Sequence, residues 1–262
     1  MPMLGWLRNA VDYRIRQTIR LRRGPARLPR ETKAGLFIVA AAAEAERLVA
    51  AYHLEQWRET AGRVDFATSL SYLQMLERAL REARVTLPAQ LRVLDAGCGD
   101  WFYVQTLYGL LQHFGAAKPR GIRLDGVEFD AYALYAGFRS RHDWAAAYMN
   151  GLAGARYIPG DICDYREPVN VAFMLFPFLF ANDDMLRWGL PRRYLRPPVV
   201  LKHVAGLVEP GGVLILANLG EAERQEQHRL LAEAGLEVAW WGQAESLLSA
   251  SDRPRFVTVV CP

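Results

Sequence analysis

Glycines and a carboxylate follow one another between Val93 and Asp100, where the sequence reads VLDAGCGD. The apolar residues before the glycines predict a strand, and Trp101 to Phe114 is predicted as a helix. Gly97 and Gly99 would let the backbone pass close to a ligand at the amino terminus of that helix. Asp95, just before them, suits a ligand with a positively charged end. The alternative is a bare turn that joins strand to helix and binds nothing.

A dinucleotide site is the best-known use of such a turn, and two residues argue against it. The motif Gly-x-Gly-x-x-Gly would need a third glycine where this chain has Phe102. Asp95 would also be a poor neighbour for a pyrophosphate. Its carboxylate better suits a group such as the amino group of a methionine moiety. A dehydrogenase is therefore disfavoured.

Acidic residues follow the next two predicted strands as well. Glu128 ends the strand from Ile122 and can accept hydrogen bonds from both ribose hydroxyls. Asp130 is predicted to cap a helix that runs from Ala131 to about His142. Asp161 follows the strand Ala155 to Pro159 and can accept from an adenine amino group, with Ile162 against the base. A cap or turn aspartate is the open alternative for Asp161.

The elements that must position these residues alternate along the chain after Pro88. Strands are predicted near 91–95, 122–128, 155–159, 169–176, 213–217, 236–241 and 256–261, with helices between most of them. The stretch from Val169 to Phe176 is apolar throughout, as a buried parallel strand requires. This alternation predicts an α/β fold, a doubly wound and mostly parallel sheet with helices on both faces. The first third of the chain is predicted to be helical.

Four motifs in this order resemble the class I S-adenosylmethionine-dependent methyltransferase superfamily. They are Val93 to Gly99, Val127-Glu128, Gly160-Asp161, and Leu207 to Leu214 with its Pro-Gly-Gly turn. The resemblance covers about residues 85–262, the predicted S-adenosylmethionine-binding domain. Residues 1–84 would then be an amino-terminal helical extension or cap.

The resemblance implies a seven-stranded sheet whose last strand is antiparallel. It also implies S-adenosylmethionine across the carboxyl ends of the first three strands. Asp95, Gly97 and Gly99 would hold its methionine end, Glu128 its ribose and Asp161 its adenine. The superfamily usually has a small residue, often glycine, where this chain has Trp101. That indole must either turn away or form a wall of the methionine pocket, and it leaves open a non-catalytic relative.

The acceptor of the methyl group would lie at the ends of the fourth and fifth strands, where the superfamily binds its substrates. Phe176 ends the fourth strand, and a long segment from Asn182 to Pro198 supplies Trp188 and Tyr194 as pocket walls. That segment could equally be a packed surface loop. Asn218 and Glu221 follow the fifth strand and are the polar candidates for catalysis. No cluster of residues predicts a metal site.

Basic residues are concentrated at the start of the chain. Residues 1–33 carry nine Arg or Lys residues against two acidic ones, hence +7, whereas the whole chain carries +4. Residues 3–23 are predicted as one helix whose stripe consists of Leu4, Leu7, Val11, Ile15 and Ile19. A helical cap or a dimer contact is the first interpretation of this segment. Peripheral membrane contact and RNA binding are the others.

Three scattered cysteines and the lack of a secretory signal predict a reducing, cytoplasmic setting. The first functional hypothesis is methyl transfer to an oxygen or nitrogen of a small molecule. The arginines of the segment from Asn182 to Pro198 would suit an anionic acceptor. The second is a nucleic-acid methyltransferase that uses the basic segment. The third is a binding protein that keeps the fold without turnover.

Overall fold

Helices and strands alternate after residue 88 in the computed structural model, which describes residues 2–249 and 252–262. Within these residues the chain forms nine α-helices and seven strands. The helices are α1 (Pro2–Ile19), α2 (Val39–Tyr52), α3 (Glu55–Thr60), α4 (Arg63–Glu82), α5 (Val104–His113), α6 (Arg141–Tyr148), α7 (Asp183–Arg187), α8 (Pro197–Leu207) and α9 (Glu221–Glu233). The strands are β1 (Gln90–Ala96), β2 (Gly121–Glu128), β3 (Ala155–Pro159), β4 (Val169–Leu175), β5 (Val208–Leu219), β6 (Val238–Ala244) and β7 (Arg255–Val260).

All seven strands join one sheet in the order β3-β2-β1-β4-β5-β7-β6. The neighbours from β3 to β5 pair in parallel, and β7 pairs antiparallel with both β5 and β6. The predicted fold class, a doubly wound and mostly parallel sheet with an antiparallel last strand, is confirmed. The carboxyl ends of the first five strands therefore lie along one edge of the sheet.

Successive strand residues point to opposite faces of the sheet and build two apolar layers. On one face, Leu91 and Val93 of β1 pack in a cluster with residues of α2, α3, α4 and α5. On the other, Leu94 packs in a cluster with residues of α8 and α9. The amino-terminal helices α2 to α4 thus share the core of the sheet. The division of the chain at residue 84 stays a prediction.

Several helical segments differ from the expectation, and the helix predicted from Trp101 begins only at Val104. Helix α1 ends at Ile19 rather than Arg23. Residues 131–140 form turns and a short 3-10 helix, and α6 begins only at Arg141. The reason is a capping box at Ser140, whose hydroxyl accepts from the Asp143 N–H at 3.2 Å while the Asp143 carboxylate accepts from the Ser140 N–H at 3.1 Å. The prediction that Asp130 caps a helix is therefore wrong.

Candidate functional site

A cavity of about 510 Å³ lies at the carboxyl ends of the parallel strands. Its wall combines the glycine turn after β1 with the ends of β2, β4 and β5 and with the segment 182–197. Ligands of open α/β sheets bind at this edge, outside the strand ends. A larger cavity of about 830 Å³ lies between the chain at residues 25–30 and helices α3, α5 and α6, away from the strand ends. The strand-end cavity is the candidate site because it contains the glycine turn.

The glycine turn leaves room for a ligand. Gly97 and Gly99 have φ angles of +80° and +64°, a conformation that glycine adopts without steric penalty. A Cβ atom on Gly97 would meet no protein atom within 4 Å. Gly97 and Gly99 both line the cavity. A ligand can therefore approach the backbone of the turn closely.

Asp95 and Trp101 lie beneath the turn rather than in the cavity wall. Both are completely buried. The Trp101 indole N–H donates to Asp95 Oδ2 at 2.7 Å, and the Tyr103 hydroxyl donates to the same oxygen at 2.8 Å. A Cβ on Gly126 of β2 would lie only 2.6 Å from the indole, so the ring packs directly on that glycine. Trp101 has therefore turned away from the cavity.

Burial also governs the ionisation of Asp95. It raises the pKa of the carboxyl to about 7, although the hydrogen bonds from Tyr103 and Trp101 act in the opposite direction. The second oxygen, Oδ1, has no hydrogen-bond partner. The structure does not bring Asp95 or Trp101 to the cavity lining with the other predicted residues.

Glu128 lines the cavity at the end of β2 and joins it to the glycine turn. Its Oε2 accepts from the Gly99 N–H at 2.8 Å. Its Oε1 accepts from the Asp130 N–H at 2.8 Å and from Arg141 Nη1 at 3.2 Å. A carboxylate has about four acceptor positions, so three protein bonds leave capacity for a ligand hydroxyl.

Asp161 and Ile162 also line the cavity, beyond the end of β3. Asp161 Oδ1 accepts from the Cys163 N–H at 3.0 Å and so caps the short 3-10 helix Ile162–Asp164. Its Oδ2 is paired with the Arg196 guanidinium. Asp161 is thus both a cap and a cavity residue.

The aromatic residues predicted for the acceptor side come together. Phe176, Trp188 and Tyr194 all line the cavity. The Arg141 guanidinium lies 4.3 Å from the centre of the Trp188 ring, within cation–π range. The segment 182–197 is therefore part of the cavity wall rather than a loop that packs elsewhere.

Asn218 and Glu221 do not reach the cavity lining. Asn218 is fully buried, and neither polar atom of its side chain has a hydrogen-bond partner. Glu221 is exposed and paired with Arg224. The carboxylate that does line the cavity here is Glu223, whose Oε2 accepts from the Leu219 N–H at 2.9 Å. Burial raises the pKa of Glu223.

Asp100 and Arg141 are two further cavity residues that sequence reasoning missed. Burial raises the pKa of Asp100 to about 6, and the nearby charge of Arg141 limits the rise. Asp100 directly follows Gly99, and this adjacency was a signal available in the sequence. Arg141 carries no comparable signal, because its position depends on where α6 begins.

Helix α1 packs against residues of the cavity wall. Tyr13 is stacked on Phe129 with ring centres 4.6 Å apart, and Phe129 is a cavity residue. Arg16 donates to both carboxylate oxygens of the buried Asp130, at 3.2 and 2.8 Å. Asn9 donates to the carbonyl oxygen of Leu186 at 2.9 Å. The role of Asp130 is thus to hold α1 beside the glycine turn.

Within the part of the chain that the structure describes, no group of three or more His, Cys, Asp or Glu side chains is arranged to hold a metal ion. No protein-family model matches the sequence, and no curated protein matches it.

Solved structures share the fold at low sequence identity. One is magnesium protoporphyrin IX methyltransferase from Synechocystis PCC 6803 with bound S-adenosylhomocysteine, at 12% identity and a TM-score of 0.50, over 86% of this chain and 95% of that one. Another, from Listeria monocytogenes, is assigned to the class I S-adenosylmethionine-dependent methyltransferases; it is 14% identical with a TM-score of 0.50, over 75% of this chain and 58% of that one. This chain has the fold of the class I S-adenosylmethionine-dependent methyltransferases.

Proposed function

We propose that the protein transfers a methyl group from S-adenosylmethionine to an oxygen or nitrogen of a small molecule. One observation carries the proposal: a single cavity is lined by two groups of residues, the glycine turn with Glu128, and Phe176 with Trp188 and Glu223. The first group suits a nucleoside cofactor, and the second suits an acceptor. A structural neighbour holds S-adenosylhomocysteine on this fold, which makes that nucleoside the first ligand to test.

The residues present fit the cofactor. Gly97 has open space where a side chain would project, so the cofactor can approach the backbone there. Glu128 has acceptor capacity for a ribose hydroxyl, and Ile162 offers an apolar surface for the base. Asp161 is the carboxylate in reach of an adenine amino group, although Arg196 already pairs with it.

The amino-acid end of the cofactor carries both charges, and the cavity offers a partner for each. Asp100 supplies a carboxylate for the ammonium group, and Arg141 supplies a guanidinium for the carboxylate. We assign Asp95 a different task from the one its sequence position suggests. Through its hydrogen bonds to Trp101 and Tyr103, it supports the turn from below.

Bound S-adenosylmethionine supplies an electrophilic methyl group on a sulfonium. The task of the chain is to hold the acceptor atom in line with that methyl, and such positioning contributes on the order of 7–11 kcal/mol to catalysis. Phe176 and Trp188 form apolar walls that exclude water around the acceptor. Glu223 replaces Asn218 and Glu221 as the candidate proton acceptor, because its carboxylate lines the cavity and burial raises its pKa.

Calorimetric titration with S-adenosylmethionine and S-adenosylhomocysteine tests the proposal. We expect saturable heat for the wild type. Glu128→Gln should weaken binding about tenfold, because it removes a charge-assisted hydrogen bond. Glu82→Gln, on the exposed end of α4, is the matched control and should bind as the wild type does. A wild type that binds neither nucleoside would overturn the enzyme assignment and favour the non-catalytic binding protein.

A further inference from the structure

Helix α1 has two faces of different character, and only one is packed against the protein. Asn9, Tyr13 and Arg16 occupy successive turns on the packed face and contact Leu186, Phe129 and Asp130 respectively. Tyr13 and Asn9 are 8% and 2% exposed. These residues belong to the polar side of the helix, so its apolar side is turned outward.

The outward face is an apolar stripe that nothing in the described chain covers. Its members recur at spacings of three and four residues, so they align along one side of the helix. They are exposed by 74, 64, 49, 49 and 66% in the order Leu4, Leu7, Val11, Ile15 and Ile19. From first to last the stripe is about 22 Å long, at 1.5 Å per residue. Contiguous exposed apolar surface of this kind marks an interaction site.

Arginines flank the stripe. Arg8 and Arg14 lie in α1 on either side of it, and both are exposed. Three more exposed arginines follow the helix, at positions 20, 22 and 23. The acidic residue of the helix is Asp12, at the edge of the stripe. Long arginine side chains can lay their stems on an apolar surface while their charged heads reach outward.

A second apolar group lies beside this basic segment. Phe138 is 65% exposed at the tip of a turn, with a φ angle of +56°. The Arg23 guanidinium lies 5.8 Å from its ring centre. Arg139 donates to the carbonyl oxygens of Arg23 and Gly24, at 2.6 and 2.9 Å, and so ties this turn to the end of the basic segment.

We propose that the outward face of α1 docks onto the surface of an anionic phospholipid bilayer. The apolar stripe would enter the boundary between headgroups and acyl chains, and the flanking arginines would pair with lipid phosphates. The helix lies on the bilayer and does not cross it: no described helix is both long and apolar enough to reach from one side to the other. The inference does not depend on methyl transfer.

Charge selects the bilayer over two other occupants. Two copies of α1 packed stripe to stripe would bring Arg8 and Arg14 of both copies into one contact. The single Asp12 of each copy would balance only one of its two arginines, so like charges would repel there. An RNA backbone would satisfy the arginines, but it would leave the apolar stripe in water. A surface with anionic headgroups above an apolar interior satisfies both.

Co-flotation of the full-length protein with vesicles tests the proposal. Phosphatidylcholine vesicles are compared with vesicles containing 30% phosphatidylglycerol at ~0.1 M salt. We expect binding to the anionic vesicles only. The double variant Leu7→Gln/Val11→Gln should bind at least ~10-fold more weakly, because it removes two apolar anchors. Arg8→Gln/Arg14→Gln should lose roughly 20–30-fold, at about a fivefold loss per arginine.

Two matched controls separate the stripe from general surface effects. Ile38→Gln/Val64→Gln removes two other exposed apolar residues, which are 71% and 76% exposed. Lys118→Gln/Lys202→Gln removes two exposed charges outside residues 1–33. Both controls should bind as the wild type does. All substituted side chains are exposed, so circular dichroism should show an unchanged fold.

Three results would overturn the inference. The first is wild-type binding by both α1 variants, and the second is no binding of the wild type to anionic vesicles. The third is a dimer in analytical ultracentrifugation that Leu7→Gln/Val11→Gln dissociates, which would assign the stripe to a second copy. The wild type could instead bind RNA in a salt-sensitive way that only the arginine variant loses, and not bind vesicles. That outcome counts as the second result. Calorimetry with S-adenosylhomocysteine on the same variants reports the cofactor site separately.

Discussion

Trp101 has a φ angle of +62°, the left-handed conformation that a bulky residue rarely adopts. Strain of this kind persists only where the surroundings over-determine the conformation. Here the indole is completely buried, hydrogen-bonded to Asp95 and packed on Gly126. The Trp101 side chain, at a position where glycine is often found, therefore fills the core beneath the turn. The cavity above the turn stays open, because the ring points the other way.

Asp95→Asn should reveal a pH-dependent penalty from the buried carboxylate. The folded-state pKa is about 7, whereas the ordinary pKa of an aspartate is 3.8, so the folded protein holds this proton over a pH range in which the unfolded chain releases it. The contribution of Asp95 to stability is therefore greatest below pH 4 and declines as the pH rises to 7. Urea unfolding measures the free energy of unfolding of both proteins. Relative to the wild type, that of the variant should rise by on the order of 2 kcal/mol between pH 5 and pH 8. A constant difference at both pH values would contradict this assignment.

Single residues were predicted unevenly, and the reason lies in strand geometry. Gly97, Glu128 and Asp161 lie at or just after strand ends, and parallel strands bring such positions to one edge. Asp95 still belongs to β1 and shares the face of Leu91 and Val93, so alternation turns it into the core. Glu223 could not be chosen over Glu221 from sequence, because the choice depends on the helix that begins after Gly220.

At the scale of elements, the ion pair between Arg16 and the buried Asp130 is one of the contacts that hold α1, and Arg16→Gln should loosen the helix. Burial raises the pKa of Asp130 to about 6, and Arg16 and Arg141 oppose that rise. Loss of Arg16 leaves a buried carboxylate with only Arg141, 4.0 Å away. Amide hydrogen exchange in residues 2–19 should accelerate at least ~10-fold at pH 8. The effect should shrink below pH 6, where the carboxyl is protonated and needs no cation.

Arg14→Gln is the control for this variant. Arg14 is exposed on the same helix, and its substitution removes the same charge. Its exchange rates should match those of the wild type. Equal acceleration in both variants would mean that overall charge, rather than the pair with Asp130, holds the helix.

Helix α6 offers a second test at this scale, because its start carries Arg141 into the cavity. Ser140→Ala removes the capping hydroxyl and should lower the free energy of unfolding by about 1 kcal/mol. Ser140→Gly should be milder, by a few tenths of a kcal/mol, since glycine is tolerated at this position. Thermal unfolding measures both variants. An alanine variant as stable as the wild type would show that the capping box does not fix the start of α6.

Elements were predictable where periodicity and turn residues agree, and less so where a tertiary contact decides. The apolar runs located six of the seven strands to within about three residues, whereas β5 begins at Val208, so the predicted Pro-Gly-Gly turn lies inside that strand. The stripe of α1 was visible in the sequence, but a stripe alone predicts burial. The structure turns it outward, because Asn9, Tyr13 and Arg16 bind specific partners in the rest of the fold. Those partners are more than a hundred residues away in sequence, beyond the reach of local patterns.

At the scale of the whole molecule, the chain order restricts the sheet order, because right-handed crossovers allow few arrangements of alternating strands and helices. What the order does not determine is which ligand the strand-end cavity takes. The residues that line that cavity come from distant parts of the chain, with Gly97 after β1 and Glu223 in α9. Ligand binding should therefore stabilise the fold as a unit rather than one segment.

S-adenosylhomocysteine at about one hundred times its dissociation constant should stabilise the fold by about 2.7 kcal/mol, which corresponds to a rise of roughly 5–10 °C in Tm for a chain of this size. Gly97→Asn should abolish most of that rise. Asparagine tolerates a positive φ, so the backbone can persist while the side chain enters the open space beside the turn.

Gly115→Asn is the matched control, because Gly115 also has a positive φ (+60°) and open space around it but lies outside the cavity. Any loss of intrinsic stability from asparagine should be similar in the two variants, whereas the ligand-induced rise in Tm should survive only in the control. Differential scanning calorimetry with and without the nucleoside separates the two effects. If both variants keep the full rise, the nucleoside binds away from the glycine turn, and the cavity at the strand ends is not its site.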